Sequence, residues 1–192
     1  MAVLMPVYLS NYGLTNFLYF CDMALILTLF GMWLESSMLI SMCAVGIVGV
    51  QMLWVIDFIS TLAGYSLTGM TAYMFNSSTP LFLRSLSMFH GWLPFLLIYL
   101  VAKVGYNRSA FILWTGLAWV LILVCFSIMP PPNSNAGLTP VNINYVWGLK
   151  DAEAQTWMSP YAWLALMTFG LPTIFYAPVH VLLKKYFLVI KS

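Results

Sequence analysis

A cysteine thiol and a histidine imidazole are the two groups in this chain that could do covalent chemistry together. Cys21 stands beside Asp22 in the first apolar stretch, and His90 lies one helical turn after Ser87 in the third. An imidazole can take the proton of a nearby thiol, and the resulting thiolate attacks carbonyl carbons. These residue types therefore indicate acyl transfer through a thioester as a candidate activity, and they predict that the Cys21 sulfur and the His90 ring lie close together.

Other polar side chains are expected at a similar depth. With a rise of 1.5 Å per residue counted inward from the outer end of each span, the depths run from roughly 5 Å for Arg84 to roughly 14 Å for His90. Ionisable groups inside a membrane are costly, so each one marks a candidate functional site. The sequence predicts a polar pocket that opens towards one face of the membrane. Its residues are Cys21, Asp22, Asp57, Arg84 and His90, with Asn142, Asn144 and Tyr145 closing over it.

Each of these residues also has a structural interpretation. A lone cysteine in an apolar stretch is most often a small buried hydrophobe, and this applies to Cys21. Asp57 and Arg84 could form an ion pair near the interface, whereas His90 could be a core histidine that donates to a backbone carbonyl. The residue types alone leave both interpretations open.

The composition excludes a water-soluble fold and decides the fold class. Of the 192 residues, 62% are hydrophobic and 6% are charged, with a mean hydropathy of +0.93, whereas a soluble domain carries roughly 25% charged residues. The formal net charge of +2 is too small and too scattered for nucleic-acid binding. The chain is therefore predicted to be an all-α, polytopic integral membrane helix bundle, with residues 1–192 forming one transmembrane domain.

Five stretches meet the length of about 20 apolar residues that a spanning helix needs. Two longer connections, 64–80 and 130–159, contain turn-forming residues, and the second is apolar enough to fold back onto the bundle. The five predicted spans are Leu14–Leu34, Met38–Leu62, Leu81–Val101, Ala110–Met129 and Pro160–Leu183.

The cysteine and histidine positions predict neither a disulfide framework nor a cofactor site. Cys21, Cys43 and Cys125 are odd in number and all lie in apolar stretches, although a disulfide between Cys21 and Cys125 would remove the candidate nucleophile. No HExxH or CxxC motif provides a local pair of zinc ligands. His90 and His180 are separated by roughly 10 to 15 Å along the membrane normal, so they cannot share one haem. No metal and no cofactor are expected.

Several short motifs resemble the transmembrane-protein-164-like family of integral membrane acyltransferases, which has many bacterial members. Phe20-Cys21-Asp22 and the following MALILTLFGMWLESSMLISM resemble the family's Leu-Cys helix and hairpin, and VGIVGVQMLWVID resembles the stretch that ends in its acidic residue, here Asp57. Three further motifs follow in the family's order over about residues 17 to 165, namely Phe82-Leu83-Arg84 with Met88-Phe89-His90-Gly91, Val141-Asn142-Ile143-Asn144-Tyr145-Val146, and Pro160-Tyr161.

This resemblance implies a phospholipid acyltransferase whose nucleophile is Cys21 and whose general base is His90. Asp57, Asn142 or Asn144 would orient the imidazole or bind a head group, and Arg84 would pair with a phosphate. The implied partners are membrane lipids. The alternative class is a non-catalytic membrane protein, either a small carrier or a structural subunit, in which the same residues form an internal polar network.

The distribution of basic residues predicts the orientation, because Lys and Arg favour the cytoplasmic side. With five spans, the side that carries the C-terminus holds five basic residues near span ends and the opposite side holds two. The N-terminus is therefore expected outside and the C-terminus in the cytoplasm, in a bacterial inner membrane.

This orientation predicts the labelling of two probe cysteines. A membrane-impermeant thiol reagent should label Asn135→Cys in intact cells, because residue 135 lies in an outer connection. Asn107→Cys lies in an inner turn and should react only after permeabilisation. The reverse pattern would contradict the orientation.

Overall fold

Long apolar runs form the helices of this protein, and polar or turn-forming residues interrupt them. A computed structural model describes residues 1–132, 140–150 and 153–188, and within these the secondary structure is entirely helical. This confirms the all-α class. The helices are α1 (Leu4–Tyr12), α2 (Phe20–Trp33), α3 (Ser37–Leu62), α4 (Ala72–Phe75), α5 (Leu81–Leu86), α6 (Phe89–Val104), α7 (Ala110–Ile128), α8 (Pro160–Leu171) and α9 (Ala177–Phe187).

Four helical segments are long and apolar enough to cross a membrane, so the protein is a membrane protein. They are Ser37–Leu62, Leu81–Val104, Ala110–Ile128 and Pro160–Phe187, and they coincide with the last four of the predicted spans. The second comprises α5 and α6, and the fourth comprises α8, a π-helical turn at Pro172–Tyr176 and α9. Residues 140–150 of the connection between α7 and α8 fold back onto the bundle as expected, with Ile143 and Val146 fully buried.

The first predicted span does not form one continuous helix. Gly13 adopts a φ of 76°, a 3₁₀ turn follows at Leu14–Leu18, and Tyr19 is extended before α2 begins. The 14 residues of α2 span about 21 Å, short of the roughly 30 Å hydrocarbon core. The break leaves backbone groups to be paired, and the Asn144 side chain pairs two of them: it accepts from the Phe20 N–H at 2.9 Å and donates to the Leu18 carbonyl at 2.8 Å.

Helix α3 is the central element of the bundle, because it packs against α2, α6, α7 and α9. Its closest approach to α7 lies at Gly46, where an added Cβ would come within 1.7 Å of Cε2 of Trp114. Trp114 is fully buried. The missing side chain at Gly46 therefore makes room for the indole.

Of the two positions chosen for probe cysteines, the structure describes one. Asn107 lies in the turn between α6 and α7, and its backbone N–H donates to Ser41 Oγ at 3.0 Å. Asn135, like the basic residue Lys191, lies outside the described residues.

Two glycine substitutions test the contact between α3 and α7. Gly46→Ala should lower the midpoint of thermal unfolding in detergent, because the fully buried indole must shift, and overpacking of this kind costs about 1–3 kcal/mol. Gly116→Ala is the matched control, since nothing lies within 4 Å of its Cβ position and alanine is the better helix former. A Gly46→Ala protein as stable as Gly116→Ala would contradict the packing.

Candidate functional site

A cavity of about 560 Å³ lies within the bundle. Its wall is formed by α2, α3, α5, α6 and α8, together with residues of α1 and of both long connections. Six of the eight predicted site residues line it, namely Cys21, Asp22, Arg84, His90, Asn144 and Tyr145. The structure therefore brings these six residues together at one cavity, and Asp57 and Asn142 lie outside its wall.

The His90 ring is held in one orientation and one tautomer. Its Nδ1 lies 2.8 Å from the Ser87 carbonyl oxygen, and since a carbonyl can only accept, Nδ1 must carry the proton. The ring also stacks on Trp54, with 5.5 Å between the ring centroids. The bond to a carbonyl is the one expected for a core histidine, yet it leaves Nε2 of the neutral ring with a free lone pair, as a general base requires.

Cys21 is the second residue of α2 and is partly exposed in the cavity wall. Its place in the first turn puts the thiol near the positive end of the helix dipole, whereas the neighbouring Asp22 carboxyl acts in the opposite direction. Cys21, Cys43 and Cys125 are all free thiols. No hydrogen bond between described residues joins the Cys21 thiol to His90, although both residues line one cavity. The predicted closeness of the sulfur and the imidazole stays a prediction.

Asp57 builds a loop and does not pair with Arg84. Its carboxylate accepts four hydrogen bonds from the connection after α3, from the N–H groups of Thr68 at 2.7 Å, Gly69 at 3.3 Å and Thr71 at 2.9 Å, and from Thr71 Oγ1 at 2.6 Å. The ion pair considered from the sequence is therefore absent. Asp57 therefore shapes the site indirectly, because the connection that its carboxylate holds also supplies residues of the cavity wall.

Asn142 and Asn144, in the connection between α7 and α8, are also structural anchors. The Asn142 amide donates to the carbonyls of Gly148 and Lys150, both at 2.8 Å, and its oxygen accepts from the Trp147 N–H at 3.0 Å. These bonds close a loop away from the cavity. Asn144 lines the cavity, but its side-chain amide is hydrogen-bonded to the backbone of Leu18 and Phe20 at the break before α2.

Tyr145 and Arg84 line the cavity from two different segments, the connection between α7 and α8 and helix α5. Tyr145 has a φ of 58°, and its carbonyl accepts from Trp163 Nε1 at 2.9 Å. Arg84 donates through Nη1 to the Met74 carbonyl at 2.9 Å, whereas its Nε is buried without a hydrogen-bond partner in the described protein. One guanidinium donor is thus left for a ligand.

Sequence reasoning missed several residues of this wall. Gln51 is 2% exposed and lines the cavity from the middle of α3. Gln51 is a polar residue inside a predicted span, as Asp57 is, but the sequence criterion was restricted to ionisable groups and therefore did not include it. Tyr8 of α1 also lines the cavity, with its hydroxyl 2.9 Å from Ser87 Oγ, and no helix was predicted there.

The π-helical turn at Pro172–Tyr176 brings another aromatic side chain to the cavity. Tyr176 is 1% exposed and lies edge-on to Trp114, with 6.4 Å between the ring centroids. Single π turns inside α-helices are frequent at functional sites. This irregularity therefore agrees with a functional cavity at the same place.

Comparisons with protein-family models, with curated proteins and with solved structures give no significant match for this chain. Within the described residues, no group of three or more His, Cys, Asp or Glu side chains could hold a metal ion. The resemblance to the transmembrane-protein-164-like family stays a prediction that its short motifs alone support.

The bonds of Asp57 lead to a testable prediction. Asp57→Asn places an amide NH₂ against N–H or O–H donors, and a buried unmade hydrogen bond costs about 1–3 kcal/mol. The variant should unfold at a lower temperature and be cut faster by protease within 64–80. Glu35→Gln removes an exposed carboxylate and serves as the control. An Asp57→Asn protein that matches Glu35→Gln in both measurements would contradict the anchoring role.

Proposed function

We propose that this membrane protein transfers a fatty acyl group between lipids, with Cys21 as the nucleophile and His90 as the general base. One observation carries the proposal: a half-buried thiol at a helix N-terminus and a neutral imidazole with a free Nε2 lie in the wall of one cavity inside the bundle. A lipid that entered this cavity sideways from the bilayer would reach both groups.

The proposed reaction has two steps. The Cys21 thiol loses its proton to Nε2 of His90, and the sulfur attacks the ester carbonyl carbon of a donor lipid. A C–S bond forms, the ester C–O bond breaks, and the departing lysolipid oxygen takes the proton from His90. The hydroxyl of an acceptor lipid then attacks the thioester and gives its proton to His90, and the released sulfur recovers that proton.

The remaining cavity residues suit a lipid substrate. The wall combines aromatic and aliphatic side chains such as Phe20, Leu83 and Leu171 with a few polar groups, the usual make-up of a small-molecule site. The buried Nε of Arg84 offers a charge-assisted hydrogen bond to a phosphate oxygen. The orientation, with the N-terminus outside a bacterial inner membrane, is part of the same proposal and rests on the basic residues near the span ends.

A non-catalytic lipid-binding protein is the second candidate. It is favoured by the missing hydrogen bond between Cys21 and His90, because a thiol activated by an imidazole commonly contacts it directly. In this case the protein would be a small carrier or a structural subunit that holds a lipid in the same cavity without modifying it.

Acyl exchange by the purified protein separates the two candidates. Protein reconstituted in vesicles should move a labelled acyl chain between phospholipids, and intact mass should show an acyl adduct on Cys21. Cys21→Ala and Cys21→Ser should abolish the exchange. His90→Ala should lower it at least about 100-fold, since a general base contributes about 10²–10⁴-fold.

Alkylation of the thiols provides an independent measurement. A small alkylating agent should modify Cys21 faster than the fully buried Cys43, and His90→Ala should slow only Cys21. Full exchange in both Cys21 variants, with folding retained, would refute the enzyme and leave the lipid-binding protein.

A further inference from the structure

Two buried polar side chains in the cavity wall have hydrogen-bonding atoms without a partner. Asp22 is 3% exposed and Gln51 is 2% exposed. Oδ2 of Asp22 accepts from Asn16 Nδ2 at 3.1 Å, but Oδ1 has no partner in the described protein. Both Oε1 and Nε2 of Gln51 are also unpartnered there.

These atoms are costly to the folded protein unless something binds them. The large majority of buried side-chain polar atoms in proteins have a hydrogen-bond partner, and an unpartnered one destabilises the folded protein. A leucine at position 51 would fill a similar volume without this cost. Both side chains line one cavity, although these particular atoms are closed off from it as the side chains stand. A ligand in that cavity becomes their partner once the two side chains turn towards it.

The chemistry of the unpartnered atoms selects the ligand class. An ammonium group only donates, so it would leave Gln51 Nε2 unpaired. A phosphate oxygen only accepts, so it would leave Gln51 Oε1 unpaired and meet the Asp22 carboxyl. A hydroxyl both donates and accepts, and it can pair with a carboxyl group in either protonation state. Hydroxyl groups therefore match Asp22 and Gln51 together.

Arg84 indicates that the ligand also carries an anionic group. Its unpartnered Nε is a charged donor in the same wall, and phosphate is a preferred partner of a guanidinium. Aromatic faces such as Trp54 and Tyr73 also line the cavity and can cover the carbon skeleton of a polyol.

We propose that Asp22 and Gln51 bind the hydroxyl groups of a polyol phosphate, with Arg84 on the phosphate. This inference rests on the proposed function for the ligand being a membrane lipid, and it names the head group: a glycerol or similar polyol. The same chemistry is present in a soluble polyol phosphate, so the experiment must distinguish the two sources.

Native mass spectrometry of the detergent-purified protein tests the head group. The probes are phosphatidylglycerol, phosphatidylserine and phosphatidylethanolamine with identical acyl chains. Phosphatidylserine matches the net charge of phosphatidylglycerol but has an ammonium and a carboxylate in place of hydroxyls. Phosphatidylglycerol should bind at least about tenfold more tightly than either, because tenfold corresponds to one good hydrogen bond.

Gln51→Leu should remove most of this preference and raise the unfolding temperature of the ligand-free protein. Asp22→Asn, which keeps the volume, should weaken the preference too. Thr115→Val is the matched control: Thr115 Oγ1 is likewise buried and unpartnered, but the residue is not in the cavity wall. This control should gain stability and bind phosphatidylglycerol like the unchanged protein.

The outcomes are distinct. Competition by glycerol 3-phosphate would support the site with a soluble ligand, and its failure to compete would support the lipid. Equal binding of the three lipids, or an unchanged preference in Gln51→Leu, would overturn the head-group assignment. Cys21→Ala should keep the preference. If the unchanged protein shows the preference but no acyl exchange, only the enzyme is refuted. If it shows acyl exchange but no preference, only the head group is refuted.

Discussion

The close approach of α7 to Gly46 of α3 is the contact on which the arrangement around the cavity depends. The Trp114 indole occupies the space of the missing side chain. Its ring also lies 6.5 Å from Phe20 and 6.4 Å from Tyr176, centroid to centroid. Gly46, Phe20 and Tyr176 all line the cavity, so one buried indole sets the positions of three helical segments at its wall.

Polar side chains in this protein fall into two groups with different physical roles. Asp57 and Asn142 satisfy several backbone groups each, and their function is to give definite shapes to connections that would otherwise carry unpaired N–H and C=O groups. Asp22 and Gln51 keep unpartnered atoms at the cavity. The first group stabilises the fold, whereas the second leaves hydrogen-bonding atoms for the ligand that we propose.

His90 meets a structural requirement through one ring nitrogen and keeps the other ring nitrogen for the proposed chemistry. Its bond to the Ser87 carbonyl is the ordinary way to satisfy a buried imidazole, and the same bond leaves Nε2 with its lone pair. A structural histidine and a catalytic base are therefore not alternatives here, because a ring held through Nδ1 is better oriented for proton transfer at Nε2.

The sequence by itself determined the membrane class, the last four spans and six of the residues that line the cavity. Composition and the length of apolar runs suffice for this, since a bilayer imposes the same length on every span, and polar residues at one depth tend to meet. The sequence does not reveal features that depend on hydrogen bonds between residues far apart in the chain. The Asn144 side chain hydrogen-bonds to the backbone of Leu18 and Phe20, more than a hundred positions away. These bonds permit the break in the helix before α2, which the hydropathy of the sequence does not show. Likewise, only the tertiary structure distinguishes Asp57, whose carboxylate is fully hydrogen-bonded, from Asp22 and Gln51, which keep unpartnered atoms in the cavity wall. The physical reason is that hydrogen-bond partners are supplied by residues distant in the chain.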